Sequence, residues 1–291
     1  MSETAFDPTA PLTPTGNLRR RRAFNRFAEY GATAAAVLAV AVLAIVIYTV
    51  VARGASALSL EFLFTGEPTG IGPAIVGTGL IVLVATAIAM PLGVLIALYL
   101  TEFAGGRADR PIRLMLDLMN GLPSIVIGLF VFGLLVYGKT QSAFAGSIAL
   151  AIIELPLIAR GSQEVLLLVP NSMREAADAL GVSRWRTVLG VILPSALGGI
   201  VTATVLAVAR AAGETAPLIL VCSVFDSRGV SLNPFEAIPN IPVTIFTLSE
   251  EANPTGFARA WGASLVLLSF ILLASLAARV LLARSRSKVA R

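Results

Sequence analysis

The stretch AIVGTGLIVLVATAIAMPLGVLIALYL at residues 74–100 contains no charged residue and decides the fold class. A helix needs roughly 20 mostly apolar residues to cross the hydrocarbon core of a bilayer, and this stretch is long enough. The rest of the chain agrees, because 56% of its 291 residues are apolar and only 13% are charged. A soluble domain carries about 25% charged residues. The sequence therefore predicts an integral membrane protein.

Five further apolar segments predict membrane spans, which gives six spans in all. They occupy residues 31–51, 114–137, 143–159, 195–222 and 260–282. Their apolar runs are continuous, whereas the strands of a membrane barrel alternate apolar and polar residues. The predicted fold class is thus an all-α integral membrane protein with six transmembrane helices.

Six spans place both termini on the same side, and the positions of Lys and Arg indicate that this side is the cytoplasm. Most basic residues lie before the first span, between the second and third, between the fourth and fifth, and after the sixth. Cytoplasmic loops carry such an excess. The net charge of +5 therefore reflects membrane topology, and nucleic-acid binding is not needed to explain it.

These spans divide the chain into segments. Residues 1–30 form a predicted basic cytoplasmic tail, partly disordered, and residues 31–51 a first anchor helix. A cleaved secretory signal is the alternative for this anchor, but the apolar region of a signal has about 7–15 residues and this one is longer. Residues 71–282 form the predicted transmembrane domain, and residues 283–291 a basic cytoplasmic tail.

Residues 133–140, GLLVYGKT, fit the letters of a nucleotide-binding P-loop. That loop must follow a strand and open a helix so that its amides can hold phosphates, whereas these residues end an apolar span on the outer side. We therefore predict no nucleotide site here. The chain also has no histidine and a single cysteine, Cys222, which excludes histidine-based catalysis and cysteine-rich metal clusters.

The segment at residues 170–194 predicts two short helices on the cytoplasmic face. It begins with PNSMREAADALG, in which Ser172 and Glu175 have the spacing of a capping box. Gly181 is typical of a left-handed helix stop, and Ser183 is the predicted cap of the second helix. An ordinary surface hairpin is the alternative on spacing alone.

Charged residues inside the predicted spans are candidates for function. Arg210 lies near the middle of the predicted fifth span, where an arginine costs about 2.5–3.5 kcal/mol on insertion scales. Glu214 follows one turn later and can pair with it. The pair is interpreted either as structural or as a polar patch on the path of an anion, because a planar guanidinium suits two phosphate oxygens. Pro217 is expected to kink this span.

Two intramembrane carboxylates have weaker interpretations. Asp117 lies near the inner end of the predicted third span and is expected to face water. Glu154 lies in the short fourth span and suits an anion path poorly, so we expect a pairing or packing role for it.

The cytoplasmic segment resembles the EAA loop of bacterial ABC importer permeases. The residues that carry this resemblance are Glu175, Ala176, Ala177 and Gly181, followed by VILP at 191–194. That family usually has Ile where Val191 stands. The resemblance covers about residues 71–282 and implies a type I (MetI-like) ABC importer transmembrane domain. It also implies that the first helix docks in a groove of a partner ATPase, so that ATP binds the partner and no cofactor binds this chain.

Further segments resemble the PstA family of phosphate-specific importer permeases. They are RAAGETAPL at 210–218, GLPSIVIGLF at 121–130 and IPVTI at 241–245. The resemblance implies transport of inorganic phosphate past Arg210 and Glu214. It also adds Arg160 to the path, because LPLIAR at 155–160 matches a family segment whose arginine is implicated in transport. The alternative for Arg160 is an anchor whose side chain reaches the membrane interface.

The same resemblance implies an assembly in the cell membrane. Its other parts are a second permease subunit PstC, a dimer of the ATPase PstB and the extracytoplasmic phosphate-binding protein PstS. One rival is an ABC permease for another oxyanion, such as molybdate, sulfate or phosphonate, against which the GET triplet at 213–215 argues. The other rival is an ion-coupled secondary transporter, against which the predicted coupling helix argues. The sequence shows no nucleophile–base pair, so the chain is predicted to be a transport subunit and not an enzyme.

Overall fold

The structure, a computed structural model, describes residues 18–103, 105–224, 229–251 and 253–289. Every regular element in these ranges is helical, as the sequence predicts. The helices are α1 (Leu18–Gly54), α2 (Leu60–Phe64), α3 (Gly72–Leu98), α4 (Asp109–Gly121), α5 (Ser124–Val131), α6 (Ala143–Leu167), α7 (Asn171–Ala179), α8 (Arg184–Thr187), α9 (Leu193–Ala211), α10 (Ala216–Val221), α11 (Ile241–Glu250) and α12 (Pro254–Val289). A 3₁₀ turn follows α1 over Ala55–Ala57, and π-helical turns follow α3 (Tyr99–Phe103), α5 (Phe132–Val136) and α8 (Val188–Ile192).

The chain divides into two compact units, and the first contains residues 1–51. Its described part is α1, in which residues 20–46 are exposed along their whole length. This helix begins at Leu18, well before the predicted anchor, so residues 18–30 of the predicted tail are helical. Residues 1–17 of that tail lie outside the described residues.

The second unit, residues 52–291, holds the remaining helices. Its last helix, α12, continues to Val289 and therefore includes most of the predicted tail at 283–291. Residues 290 and 291 lie outside the described residues. The long helix is consistent with an apolar span that continues directly into its basic flank.

Five helices are long and apolar enough to cross a bilayer, and one bent pair would make a sixth. The five are Arg20–Ala57, Gly72–Phe103, Ala143–Leu167, Arg184–Ala211 and Pro254–Ala277. They confirm the all-α membrane fold with up to six spans. The predicted short span at 143–159 extends further than expected, to Leu167.

The predicted third span, residues 114–137, is wrong as a single straight helix. It contains a break between α4 and α5, and the two helices meet at an angle of 102°. Leu122, at the break, has extended backbone with φ −70° and ψ 134°. The ring of Pro123 favours this conformation, because it crowds a preceding residue that is helical. Average hydropathy did not reveal the bend, because the two helices taken together are still apolar enough for a span.

The residues that fit the letters of a P-loop lie at the end of a helix. The residues at 133–140 close the π-helical turn Phe132–Val136 and reverse direction at Gly138, which has a φ of +72°. The segment does not follow a strand or open a helix. Its geometry therefore agrees with the rejection of a nucleotide site.

The predicted fifth span, residues 195–222, is also wrong as one helix. It consists of α9, which ends at Ala211, and the short helix α10, which begins at Ala216. Pro217 stands in the first turn of α10, where its missing N–H is not needed. The expected kink is therefore a complete interruption, and Arg210 lies in the last turn of α9.

α6 lies at the centre of the second unit, and small residues let its neighbours approach closely. A Cβ atom added to Gly93 of α3 would lie 3.0 Å from the side chain of Ile158. One added to Gly161 of α6 would lie 2.7 Å from the Cβ of Ala203 on α9. Such close helix packing is the main source of helix association in a bilayer, where lipid removes most of the hydrophobic driving force.

Contacts between helix ends and loops lie at both ends of this bundle. At one end, Arg113 of α4 donates to the carbonyl oxygen of Leu100 (3.1 Å), and the rings of Phe103 and Trp185 pack with centroids 4.7 Å apart. At the other end, the amide of Ala143 donates to the carbonyl oxygen of Glu236 at 2.8 Å. The first end gathers the loops that the charge pattern predicts to be cytoplasmic, and the second gathers loops predicted to be outside.

Candidate functional site

A cavity of about 200 Å³ lies where the two broken helices meet. Its lining comes from the end of α4, the start of α5, the middle of α6 and the break between α9 and α10. The lining residues are Met119, Asn120, Leu122, Pro123, Ser124, Ile127, Ile153, Leu157, Arg210 and Glu214. The segments at 121–130 and 210–218, which carry the resemblance to phosphate importers, therefore form one site.

The contact between α5 and α10 is unusually close. A Cβ atom added to Gly128 would lie 2.6 Å from the Cα of Pro217 and 3.3 Å from the side chain of Leu220. Glycine is therefore the residue that allows these two backbones to meet. This contact holds the start of α5 beside the interruption that follows α9.

Arg210 presents its guanidinium at the edge of the cavity. Its side chain is 63% exposed, and its Nε lies 3.8 Å from Oε1 of Glu214, whose side chain is 16% exposed. That distance is too long for a hydrogen bond. Arg210 donates no hydrogen bond to any described residue at the distances of a normal bond, so its fork of N–H groups is available to a ligand.

The other polar groups of the cavity are donors or small hydroxyls. Ser124 is the first residue of α5, and the first N–H groups of a helix have no partner within it. Such amides and the positive end of the helix dipole favour an anion. Asn120 and Ser124 add neutral side chains that can donate. The electrostatics of the cavity thus suit a negatively charged ligand, with Glu214 as the opposing charge.

Arg160 was predicted to lie at the end of the fourth span. This prediction is wrong, because α6 continues beyond Arg160 to Leu167. Its Nη2 pairs with the carboxylate of Asp117 and also lies 3.3 Å from the carbonyl oxygen of Arg113, both on α4. Its Nη1 lies 3.4 Å from Oε1 of Gln163. Arg160 does not line the cavity, but it fixes α4, whose last residues do.

The two carboxylates with weak interpretations both have partners. Asp117 has a side chain that is 62% exposed, and it pairs with Arg160. Glu154 is completely buried, and its Oε2 accepts a hydrogen bond of 3.0 Å from Thr86. Its contact joins α6 to α3, in agreement with the expected pairing or packing role.

The predicted cytoplasmic helix exists as α7, but its start was predicted wrongly. Ser172 lies inside the helix and does not cap it, because Pro170 occupies the cap position with φ −58° and ψ 137°. Proline takes this place because its fixed φ suits the start of a helix. Ser183 does occupy the cap position of α8, although only its backbone oxygen bonds there, to the amide of Thr187.

The predicted stop of α7 at Gly181 is confirmed. Gly181 has a φ of +68°, and its amide donates to the carbonyl oxygen of Asp178 at 3.0 Å. The amide of Val182 donates to Ala177 at 3.0 Å, which completes a Schellman motif. Of the predicted coupling residues, Glu175, Ala176 and Gly181 are exposed and Ala177 is buried. The helix α7 therefore has an exposed surface that includes the carboxylate of Glu175.

One charged pair at this end of the bundle was missed. Glu102, after α3, is 2% exposed and accepts a 2.7 Å hydrogen bond from Nη2 of Arg174 on α7. A carboxylate directly after a long apolar span is a weak signal for such a pair. No signal in the sequence indicates the partner, which lies 72 residues further along the chain.

This fold is that of a membrane component of an ABC importer. The profile of the family described as binding-protein-dependent transport system inner membrane component matches residues 89–287. The structure is similar to a chain of the MetNI methionine ABC transporter in inward-facing conformations, with a TM-score of 0.62, 18% identity, and coverage of 78% of this chain and 99% of that chain. A bacterial alginate ABC transporter gives a TM-score of 0.60 at 14% identity over 91% of this chain and 93% of that chain.

Similar curated proteins identify a more specific family within this one. The phosphate transport system permease protein PstA 1 of Mycobacterium tuberculosis (strain ATCC 25618 / H37Rv) is 36% identical over 97% of this chain and 95% of its own length. The PstA proteins of Yersinia pestis and Haemophilus influenzae (strain ATCC 51907 / DSM 11121 / KW20 / Rd) are 36% and 37% identical, over 83% and 78% of this chain and 84% and 82% of their own lengths. The chain belongs to the binding-protein-dependent inner membrane components, and within them to the PstA family of multi-pass cell-membrane permeases.

Proposed function

We propose that this chain is the permease subunit of an ATP-driven importer that moves inorganic phosphate into the cytoplasm. The observation that carries the proposal is the cavity at the two helix breaks, which brings Arg210 and the start of α5 together. Both groups favour a tetrahedral anion with several oxygen acceptors. The similarity to PstA proteins supports phosphate as that anion.

In this proposal Arg210 binds phosphate oxygens as the anion crosses the membrane. Its loose pairing with Glu214 leaves the guanidinium charged and exposed, so binding does not require a strong bond to be broken first. Glu214 holds the guanidinium near the break and can accept a hydrogen bond from a protonated phosphate oxygen. Arg160 is proposed as a second cation of the path, although it lies outside the cavity and pairs with Asp117 of α4.

The proposed energy source is a separate ATPase. The exposed residues Glu175 and Ala176 form the face that would dock with it, and Gly181 sets the end of the docking helix. In this proposal the chain pairs with PstC, with two copies of PstB as the ATPase and with PstS as the outer phosphate-binding protein. ATP would bind PstB, and no cofactor would bind this chain.

The test is a reconstituted complex of these four proteins in liposomes. We expect ATP hydrolysis that requires the phosphate-loaded binding protein. We also expect labelled phosphate to accumulate in the liposomes. Sulfate, molybdate and phosphonate serve as matched competitors, because they distinguish a phosphate importer from an importer of another oxyanion. Uptake that continues without ATP but follows an imposed ion gradient would instead indicate a secondary transporter and would refute the proposal.

A further inference from the structure

The end of α3 holds a carboxylate that the proposed path does not use. Glu102 lies in the π-helical turn Tyr99–Phe103 and is almost fully buried. Nη2 of Arg174 lies 2.7 Å from its Oε1, and Nε of Arg174 lies 3.2 Å from its Oε2. This two-point contact fixes the orientation of the guanidinium as well as its position. It joins α3 to the coupling helix α7.

Arg174 is also held from the side of α6. Its Nη1 donates to the carbonyl oxygen of Val169 at 2.7 Å, and its Nη2 donates to that of Leu166 at 3.1 Å. Both acceptors lie where α6 ends and the chain turns towards α7. One side chain therefore connects the end of α3, the end of α6 and the start of the coupling helix.

A second contact lies beside this pair. The ring of Phe103, next to Glu102, packs on Trp185 with centroids 4.7 Å apart, and the guanidinium of Arg184 lies 5.8 Å from the centroid of the Phe103 ring. The helix α8 is thus attached to the same turn. In the coupling helix itself, all of which is described, only Ala177 is buried. Apolar packing therefore holds α7 weakly, and the polar contacts of Arg174 are its main attachment.

We propose that Glu102 and Arg174 form a latch that transmits displacement of the coupling helix to α3. The proposal rests on the function proposed above, because it supposes that an ATPase moves α7. α3 packs closely along α6, and α6 contributes Ile153 and Leu157 to the cavity. A shift of the latched end of α3 would therefore reach the cavity wall. Glu102 and Arg174 are positioning residues, since neither lines the cavity.

The first test is Glu102→Gln in the reconstituted complex. This change keeps the shape of the side chain and removes the charge that holds Arg174. We expect phosphate transported per ATP hydrolysed to fall about fivefold or more, which is the lower end of typical coupling between sites, while ATP hydrolysis continues. Asp109→Asn is the matched control, because Asp109 pairs with Arg113 at 3.1 Å within a single helix and cannot transmit motion between helices. An assembled Glu102→Gln complex with normal coupling would overturn the latch.

The double variant tests whether Glu102 and Arg174 act as one pair or as two independent residues. If the latch exists, Arg174→Gln adds little to the loss of coupling in Glu102→Gln, because the contact is already broken. If the two losses multiply, the residues act separately and the proposal is wrong.

A second measurement applies even where a variant does not assemble. Cys222 is the only cysteine in the sequence, so Cys222→Ser provides a background for spin labels at Ser172 on α7 and Leu95 on α3. Both positions are exposed. We expect the distance between these labels to stay the same in the nucleotide-free and ATP-bound states, whereas a clear change would show that the coupling helix moves without α3. This measurement does not depend on the transported substrate, so it tests the latch even if phosphate transport by the unmodified complex fails.

Discussion

The Arg210–Glu214 pair at the cavity and the Arg174–Glu102 pair beneath the coupling helix differ in distance, burial and number of partners. In the first, the nearest atoms are 3.8 Å apart and the arginine side chain is 63% exposed. In the second, they are 2.7 Å apart, and the side chains are 21% and 2% exposed. Arg174 also bonds backbone oxygens, whereas Arg210 makes no hydrogen bond to a described residue.

The difference separates two uses of the same chemistry. A buried, bidentate ion pair is expensive to break, so it suits a mechanical connection. A long and exposed ion pair contributes little to stability, so its charge can be shared with a passing ligand at little cost. The comparison can be tested by removing each arginine and measuring transport and stability separately.

The largest expected effect is the loss of transport in Arg210→Ala. We expect phosphate uptake to fall to the background of cells without the transporter, because the exposed guanidinium of the cavity is gone. The thermal midpoint of the purified complex should change little, since an exposed side chain with few contacts contributes about 0.5 kcal/mol or less. Arg210→Lys is the control, which keeps the charge without the planar fork and should retain part of the uptake. Normal uptake by an assembled Arg210→Ala complex would remove Arg210 from the path.

The next effect is the loss of stability in Arg174→Ala. This change leaves the buried Glu102 without its cation, and breaking such a pair costs about 3–5 kcal/mol. We expect a clear decrease in the thermal midpoint of the complex. Arg184→Ala serves as the comparison, because its contact with the Phe103 ring contributes only about 0.5–1 kcal/mol. Equal midpoints for the two variants would contradict the assignment of Arg174 as the main attachment of α7.

A smaller effect is expected where the two broken helices touch. In Gly128→Ala the new methyl group would lie 2.6 Å from the backbone of Pro217, so α5 and α10 must separate. Such overpacking costs about 1–3 kcal/mol, and the displaced cavity wall should reduce phosphate uptake. Gly133→Ala is the matched control, because nothing lies within 4 Å of the added atom. If both variants transport equally well, the close approach at Gly128 does not shape the cavity.

The smallest effect is expected at the end of the coupling helix. Gly181 has a φ of +68°, which costs an ordinary residue about 1–2 kcal/mol. In Gly181→Ala we expect the Schellman end of α7 to loosen and less ATPase to co-purify with the permease. Asn tolerates this conformation better, so Gly181→Asn should bind more ATPase than Gly181→Ala. The reverse order would show that the backbone conformation at this position does not control docking.

The spans could be predicted because they depend on a property that adds along the chain. Residues 74–100 are apolar enough to identify a span without any knowledge of partners, and clustered arginines indicate the cytoplasmic side. Gly181 could also be predicted, because a left-handed helix stop is a local property of the backbone.

The breaks in two spans could not be located from hydropathy. The two helices around Leu122 together still have the average hydropathy of a span. Around Gly213, the apolar residues of α9 and α10 outweigh Arg210 and Glu214 in such an average. Pro123 and Pro217 were visible, but a proline inside a membrane helix also permits a continuous helix, as Pro91 of α3 and Pro156 of α6 show. Which outcome occurs depends on packing against other helices.

Charged partners that are distant in the sequence could not be predicted either. The prediction that Arg210 lies in mid-helix was wrong because the helix ends immediately after it. The bond between Glu102 and Arg174 and that between Arg160 and Asp117 join residues that are 72 and 43 positions apart. Only the folded arrangement of α3, α4, α6 and α7 brings them together.

The interruption between α9 and α10 has a consequence for water. Backbone that leaves the helix at membrane depth is stable only where it is covered by protein or lines a wet cavity, because lipid offers no hydrogen bonds. Here the interruption and the bend at Leu122 border the same cavity. We therefore expect water beside Arg210, and an anion bound there during the proposed transport would keep part of its water shell. Discrimination at this point would then depend more on charge and proton content than on the bare radius of the ion.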